Sequence, residues 1–224
     1  MPDKPSPPVA QEGWLIILAV MLAAAGIAWF AVAKLGVWGW LVAVPGGLLV
    51  LFCLWFFRNP QRAIPSDPAV LVAPADGVVM AIEPWNPPEE LGLGDIGPTQ
   101  RVVIFLNVFN VHVNRVPIAG TILAVARKAG GFAHAGKPEA HHNQRCSIAI
   151  KSKDGRIVAL SQVTGLIARR IVCHAEQGNT YEKGERFGLI RFGSRTDLYL
   201  PADALVLVKP GDKTLGGTTP VARW

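Results

Sequence analysis

The chain has 224 residues, half of them hydrophobic, with 22 basic and 16 acidic side chains and a formal net charge of +6. That length suits one domain with an appendage. Its three cysteines, odd in number and outside metal-ligand spacing, exclude a disulfide framework and a cysteine-based zinc site, and the dispersed basic residues come with no nucleic-acid-binding signature.

After a short tail, residues 1–12, the stretch Trp14 to Ala33 carries no charge, and beyond Lys34-Leu35-Gly36 neither does Val37 to Phe57. A helix needs about 20 apolar residues to cross a bilayer, so each stretch suffices. Trp14, Trp38, Trp40, Trp55, Phe56 and Phe57 stand near the segment ends, where aromatic rings favour the interface. Residues 13–57 therefore read as a transmembrane helical hairpin. Ala31-Val32-Ala33 imitates a signal-peptidase site, but the apolar run is long, the leading tail is hardly basic and a second span follows. Pro45-Gly46-Gly47 leaves a re-entrant form open. Either form returns the chain to its starting side. Lys4, Arg58 and Arg62 flank the spans against Lys34 alone, so the positive-inside rule puts the remainder in the cytoplasm, at the cell membrane. Only Asp3, Lys4, Glu12 and Lys34 are charged before residue 58, so the whole excess of positive charge lies beyond the spans. A basic domain beside a membrane is drawn to anionic head groups, which makes the lipid surface the expected partner and nucleic acid an unlikely one by composition.

Residues 58–69 read as an extended, Pro-rich linker. From 70 to 209 the pattern is β throughout, with Val, Ile and Leu runs separated by Gly and Asp turns. Strands are expected at Val70–Val72, Gly77–Ile82, Arg101–Leu106, Gly120–Ala126, Ser147–Lys151 and Ile157–Val163. Further strands are expected at Ala168–His174, Arg186–Ile190, Leu198–Leu200 and Leu205–Val208. Asp154-Gly155 is a hairpin turn, Gly165–Arg170 has room for a short helix, and 210–224 reads as a C-terminal tail. The expected fold is mainly β, a compact β-sandwich or barrel-like sandwich behind the helical hairpin.

Three clusters could carry chemistry. Ala73-Pro74-Ala75-Asp76-Gly77 sets an acid in a turn before a strand. Asn107-Val108-Phe109-Asn110-Val111-His112-Val113-Asn114-Arg115 holds an imidazole among amides, which could order it by hydrogen bonding. Phe192-Gly193-Ser194-Arg195-Thr196-Asp197 interrupts a β run with a Gly-Ser pair. Glycine does not shield its carbonyl, so the following hydroxyl is well placed to attack it. Singly, each reads as a turn or a structural residue. Jointly they offer an acid, an imidazole and a hydroxyl, the set that activates a weak nucleophile.

The motifs Pro-Ala-Asp-Gly, Asn-Val-His-Val-Asn-Arg-Val-Pro, Ile-Ala-Arg-Arg-Ile-Val-Cys and Gly-Glu-Arg-Phe-Gly-Leu-Ile-Arg-Phe-Gly-Ser-Arg-Thr-Asp resemble the short bacterial form of phosphatidylserine decarboxylase. The resemblance implies a proenzyme that cuts itself between Gly193 and Ser194 into chains 1–193 and 194–224. Ser194 would become a pyruvoyl group, the cofactor for decarboxylating phosphatidylserine, with no metal. It also implies that Asp76 and His112 position and activate Ser194, the aspartate holding the histidine's tautomer. Longer members carry two histidines in this region; here the second position is Arg115, which cannot act as a base. His134, His141 and His142 are a reserve. Arg145, Arg169, Arg170 and Asn114 are candidates for binding the anionic phospholipid. The two self-cleaved chains would stay assembled, alone or as a homo-oligomer. Two other classes share some features. A signal-peptidase-type serine protease needs a serine-lysine pair on the outer face, and the nearest preceding lysine, Lys183, is on a Gly-rich turn. A lipoyl-like tethered module needs an exposed lysine in a hairpin that has no match here.

Overall fold

A computed structural model describes residues 7–94, 96–166, 170–191 and 193–224. The chain divides into two compact units, Met1–Gln61 and Arg62–Trp224.

The first unit is helical: a 3-10 turn at Gln11–Gly13, α1 at Trp14–Leu35, a second 3-10 turn at Gly36–Gly39, and α2 at Trp40–Phe56. The helices run antiparallel and close together. A Cβ on Gly46 would stand 3.4 Å from that of Ala24, and the Ala10 N–H donates to the Phe57 carbonyl at 2.7 Å where the two ends meet. Small residues at such contacts let helix backbones approach. Pro45-Gly46-Gly47 lies within α2 and does not interrupt it. Leu15, Trp29, Val37, Trp38 and Leu41 point outward and exposed. Among the described residues, Gln11–Phe56 is long and apolar enough to cross a membrane by length and composition. Arg58 lies over the Trp55 ring, 4.1 Å from its centroid.

The second unit is mainly β. Its strands are β1 Val70–Val72, β2 Gly77–Pro84, β3 Thr99–Leu106, β4 Val113–Arg115, β5 Gly120–Lys128, β6 Arg145–Lys151 and β7 Ile157–Val163. They continue as β8 Arg170–Cys173, β9 Thr180–Tyr181, β10 Arg186–Arg191, β11 Ser194–Pro201, β12 Leu205–Val206, β13 Lys213–Thr214 and β14 Pro220–Arg223. An eight-stranded sheet in the order β13-β2-β3-β11-β7-β6-β5-β9 curls into a half-barrel. Two three-stranded sheets, β1-β14-β12 and β4-β10-β8, complete the unit. The apolar core gathers Leu71, Ile104, Leu106, Ile122, Ile148, Leu160, Phe187, Leu198 and Val221 from all three sheets. Period-2 alternation of these residues along their strands turns one face inward, as the sequence pattern required.

The structure extends or corrects the sequence reading at three places. Residues 210–224 are no tail: β14 sits between β1 and β12 with Val221 and Ala222 fully buried. Neither β13 nor β14 carries a Val, Ile or Leu run, and pairing with neighbouring strands makes them. The last long strand starts at Ser194 rather than Leu198, because the polar run Ser194–Asp197 finds partners inside the sheet. In the proposed Gly165–Arg170 helix, Gly165 and Leu166 are not helical and Arg170 opens β8, while 167–169 lie outside the described residues.

Candidate active site

The site is built on β11, held between β3 and β7 at the centre of the large sheet. Alternation sends Ser194, Thr196, Leu198 and Leu200 to one face and Arg195, Asp197 and Tyr199 to the other. A charged pair on a central strand is tolerable only if compensated. Asp197 lies 2.8 Å from Arg195 and 3.6 Å from Arg101. Burial pushes its carboxyl above the ordinary carboxylate range, against the pull of both guanidinium groups. On the opposite face, Gln162 Nε2 donates to Asn114 Oδ1 at 2.8 Å, and Asn114 Nδ2 donates to Thr196 Oγ1 at 3.4 Å. Ser194 is fully buried, and its Oγ has no hydrogen-bond partner among the described residues. A buried hydroxyl without a partner costs free energy, roughly 1–3 kcal/mol, so its retention points to chemistry rather than to folding.

Gly193 precedes it with φ +64°, the left-handed region that glycine occupies without strain. The Gly193 N–H donates to His112 Nε2 at 3.3 Å, joining positions 81 residues apart. The other ring nitrogen, Nδ1, lies 2.9 Å from the Asn110 carbonyl. A carbonyl can only accept and an amide N–H can only donate. His112 is therefore a neutral imidazole with its proton on Nδ1 and its Nε2 lone pair aimed at the Gly193–Ser194 segment. Asn107 and Asn110 brace this loop: the Phe109 N–H donates to Asn107 Oδ1 and the Asn107 N–H to Asn110 Oδ1, both at 2.9 Å. Their expected ordering role is thus visible.

The Gly193 carbonyl also has a wall. A Cβ built on Gly165 would fall 2.2 Å from the Gly193 oxygen, and 3.2 Å from the Ala135 Cβ. Asn143 clamps this wall. Its Oδ1 accepts from the Ala133 N–H, and its Nδ2 donates to the Ala133 and Thr164 carbonyls, all at 2.8 Å. Gly193 opens onto a cavity of about 210 Å³ lined by Phe105, Asn107, Val108, His134, Ala135 and Leu166. His134 stacks on Phe105 with ring centroids 5.6 Å apart, and its Nδ1 accepts from the Gly136 N–H at 3.2 Å. The ring's remaining hydrogen is therefore on Nε2.

Comparison with known proteins identifies the family. The phosphatidylserine decarboxylase family model matches residues 49–222. The phosphatidylserine decarboxylase proenzyme of Gluconacetobacter diazotrophicus is 46% identical over 217 residues, 96% of this chain and 93% of that protein. That of Saccharopolyspora erythraea is 50% identical over 180 residues, 80% of this chain and 76% of its own length, and that of Rickettsia akari 42% over 215 residues, 96% and 89%. The chain belongs to the phosphatidylserine decarboxylase family. It is an enzyme of that family, and the Gly193–Ser194 motif lies within the matched region.

Against this decarboxylase frame the other sequence candidates fall in different places. Asp76 binds Arg62 through both carboxylate oxygens, at 2.7 and 2.9 Å, and accepts the Gly216 N–H at 2.7 Å. The tautomer of His112, which the resemblance gave Asp76 to hold, is set at Nδ1 by the Asn110 carbonyl. Arg62, read as a membrane-flanking charge, is thus an internal partner of Asp76. Arg115 donates to the Gly184 carbonyl at 2.9 Å. Asn114 lies on the Ser194 face, as above. Arg145 is on the other side of the sheet, bound to Glu90 with Nη2–Oε2 2.9 Å and to the His141 carbonyl at 3.0 Å. It lines a separate cleft of about 390 Å³ with Trp85, Arg101, His141, His142 and Asp197. Arg170 is exposed at the start of β8, and Arg169 lies outside the described residues. Lys183 donates to the carbonyls of Asp67 and Val70, an arrangement suited to a structural lysine rather than a serine's base. Asn143, Gly165 and Gln162 escaped the sequence reading. An Asn between His142 and Gln144 carries no local signal, and only the clamp geometry reveals it.

Proposed function

We propose that this chain matures by self-cleavage at Gly193–Ser194 and then decarboxylates phosphatidylserine to phosphatidylethanolamine and CO2. The observation that carries this reading is the buried Ser194 hydroxyl, without a partner among the described residues, beside a positive-φ glycine whose N–H rests on a neutral His112 Nε2. His112 takes the Ser194 Oγ proton as that oxygen attacks the Gly193 carbonyl carbon, moving the acyl group from N to O. Proton abstraction at Ser194 Cα then expels the 1–193 carboxylate and leaves dehydroalanine. Water replaces its nitrogen, which leaves as ammonia, and a pyruvoyl group remains at 194. The unsatisfied hydroxyl and the adjoining cavity fit such a group. When in place it supplies an electron sink for loss of CO2 from an amino-acid head group.

The remaining residues orient and enclose. Asn110 fixes the His112 tautomer and leaves Nε2 as the acceptor, which passes from the Gly193 N–H to the neighbouring Ser194 hydroxyl as attack begins. Gly165, Ala135 and Asn143 hold the Gly193 carbonyl in position. Asn114 and Gln162 anchor the strand segment that carries residue 194. His134, with Nε2–H available at the cavity, can donate to a carboxylate or phosphate of the lipid head group. Asp76 supports the fold around this site through Arg62. The apolar helices anchor the enzyme in the cell membrane, and Lys4 and Arg58 favour a cytoplasmic main unit.

Mass spectrometry of the purified chain tests the cleavage. Fragments 1–193 and 194–224 are expected, the latter blocked to Edman sequencing, and Ser194→Ala should stay uncut and inactive. A single intact chain that turns over phosphatidylserine would refute the reading.

A further inference from the structure

Met80, Phe109 and Leu166 are 46%, 66% and 60% exposed. Singly exposed apolar side chains are ordinary on any protein surface. Leu166 lines the cavity that ends at Gly193, and the other two stand next to residues that line it. Val108 is among those lining residues. Phe109 follows Val108 on the braced turn, where the Asn107 side chain caps the Phe109 N–H. Met80 drops out of register between β2 and β3, where Val79 pairs Ile104 and Ala81 already pairs Val103. A bulge of this kind re-aims the extra side chain. Its Cε lies 3.9 Å from where a Cβ on Gly136 would stand, next to the His134 ring. Lys137, on the same 134–137 turn, is exposed. The turn itself is tied, since the Lys137 N–H donates to the His134 carbonyl at 2.9 Å.

We infer that this rim is the docking surface of the β unit on an anionic bilayer, with Met80, Phe109 and Leu166 entering the interface and Lys137 meeting head-group phosphate. The inference rests on the reading of the substrate as a lipid. A cavity of about 210 Å³ holds a head group but not two acyl chains. The chains must stay in the membrane while the head group reaches residue 194. An apolar collar with a cation lets the opening sit at the bilayer surface without exposing the chains to water.

The experiment uses the full-length Ser194→Ala precursor, its native cysteines replaced, in nanodiscs of phosphatidylglycerol and phosphatidylcholine. An environment-sensitive fluorophore is placed at Phe109→Cys, at Met80→Cys and, as control, at Lys153→Cys in the β6–β7 turn, at the far end of β7 from Thr164. Blue-shifted emission quenched by nitroxide-labelled lipid at 80 and 109, but not at 153, is expected. No lipid quenching at 109, equal quenching at 153, or shielding without lipid quenching (a protein partner) would each overturn the inference. In cleavage-competent protein, Phe109→Asp should raise the KM for vesicle substrate about tenfold or more, while kcat on a short-chain soluble substrate stays unchanged; an unchanged vesicle KM counts against the docking surface. Quenching does not depend on turnover, so its loss is distinguishable from failure of the decarboxylase reading, which would show as a wild-type enzyme forming no amine lipid.

Discussion

Gly165→Ala tests the site at its tightest point. The added Cβ would lie 2.2 Å from the Gly193 carbonyl oxygen and 3.2 Å from the Gly193 carbonyl carbon. An ordinary C···O contact is about 3.3 Å, so oxygen and methyl must separate by about 1 Å. The neighbour is backbone rather than a flexible side-chain end, and the Ala135 Cβ at 3.2 Å blocks retreat on one side. Gly165 is not among the positive-φ glycines, so alanine brings no backbone strain of its own and the effect is purely steric. A displacement of about 1 Å in a reacting group costs about 10²-fold in rate, equivalent to about 2.7 kcal/mol of barrier. Overpacking should lower stability by about 1–3 kcal/mol, leaving a cooperative melt. The assay follows release of fragment 194–224 from freshly synthesised precursor by mass spectrometry, beside the melting curve. Gly131→Ala is the matched control, since its Cβ would meet Asn143 Oδ1 at 3.7 Å and the His142 carbonyl oxygen at 3.9 Å, both ordinary contacts. A folded Gly165→Ala chain that cleaves at the wild-type rate would refute the placement of the Gly193 carbonyl against this wall.

Further outcomes follow from the same geometry. His112→Gln should fold and accumulate precursor, slowed about 10²–10⁴-fold as for loss of a general base; wild-type cleavage with lost turnover would reassign the ring to bound substrate alone. Asp76→Asn keeps an acceptor for the Gly216 N–H but leaves Arg62 uncompensated, so a loss of about 1–3 kcal/mol is expected by denaturant unfolding, partly restored by adding Arg62→Met. A stable Asp76→Asn protein with blocked cleavage would instead give the aspartate a direct part in catalysis. Burial, and then the charges of Arg195 and Arg101, hold His141 below the ordinary histidine range. The unfolded chain therefore binds that proton more readily than the folded one, and stability rises with pH through the window between the folded and unfolded values. Wild-type melting temperature should fall below about pH 6.5 more steeply than that of His141→Gln, and parallel curves would contradict this. Protease added outside intact cells should spare residues 62–224 if the main unit is cytoplasmic.

Local features were legible in the sequence because their causes are local. Apolar runs without charge marked the helices, Val-, Ile- and Leu-rich runs marked β1 to β3, β5 to β7 and β10, and Asp154-Gly155 marked its turn. The Gly193-Ser194 pair within its motif marked the bond on which the proposed cleavage rests, and the amides around His112 marked its hydrogen-bonded loop. What no window of sequence contains is which distant groups meet. The contact between His112 and Gly193 spans 81 positions. Asn143 joins Ala133 to Thr164, and Gly165 reaches the Gly193 carbonyl, only because β7, β11 and β3 are neighbours in one curled sheet. Asp76 pairs with Arg62 rather than with the His112 ring for the same reason: the partner of a buried charge is whichever group the strand order carries to it. The last fifteen residues show the limit most plainly. β13 and β14 carry no Val, Ile or Leu run to read, and the edges of β2, β1 and β12 turn them into part of the fold.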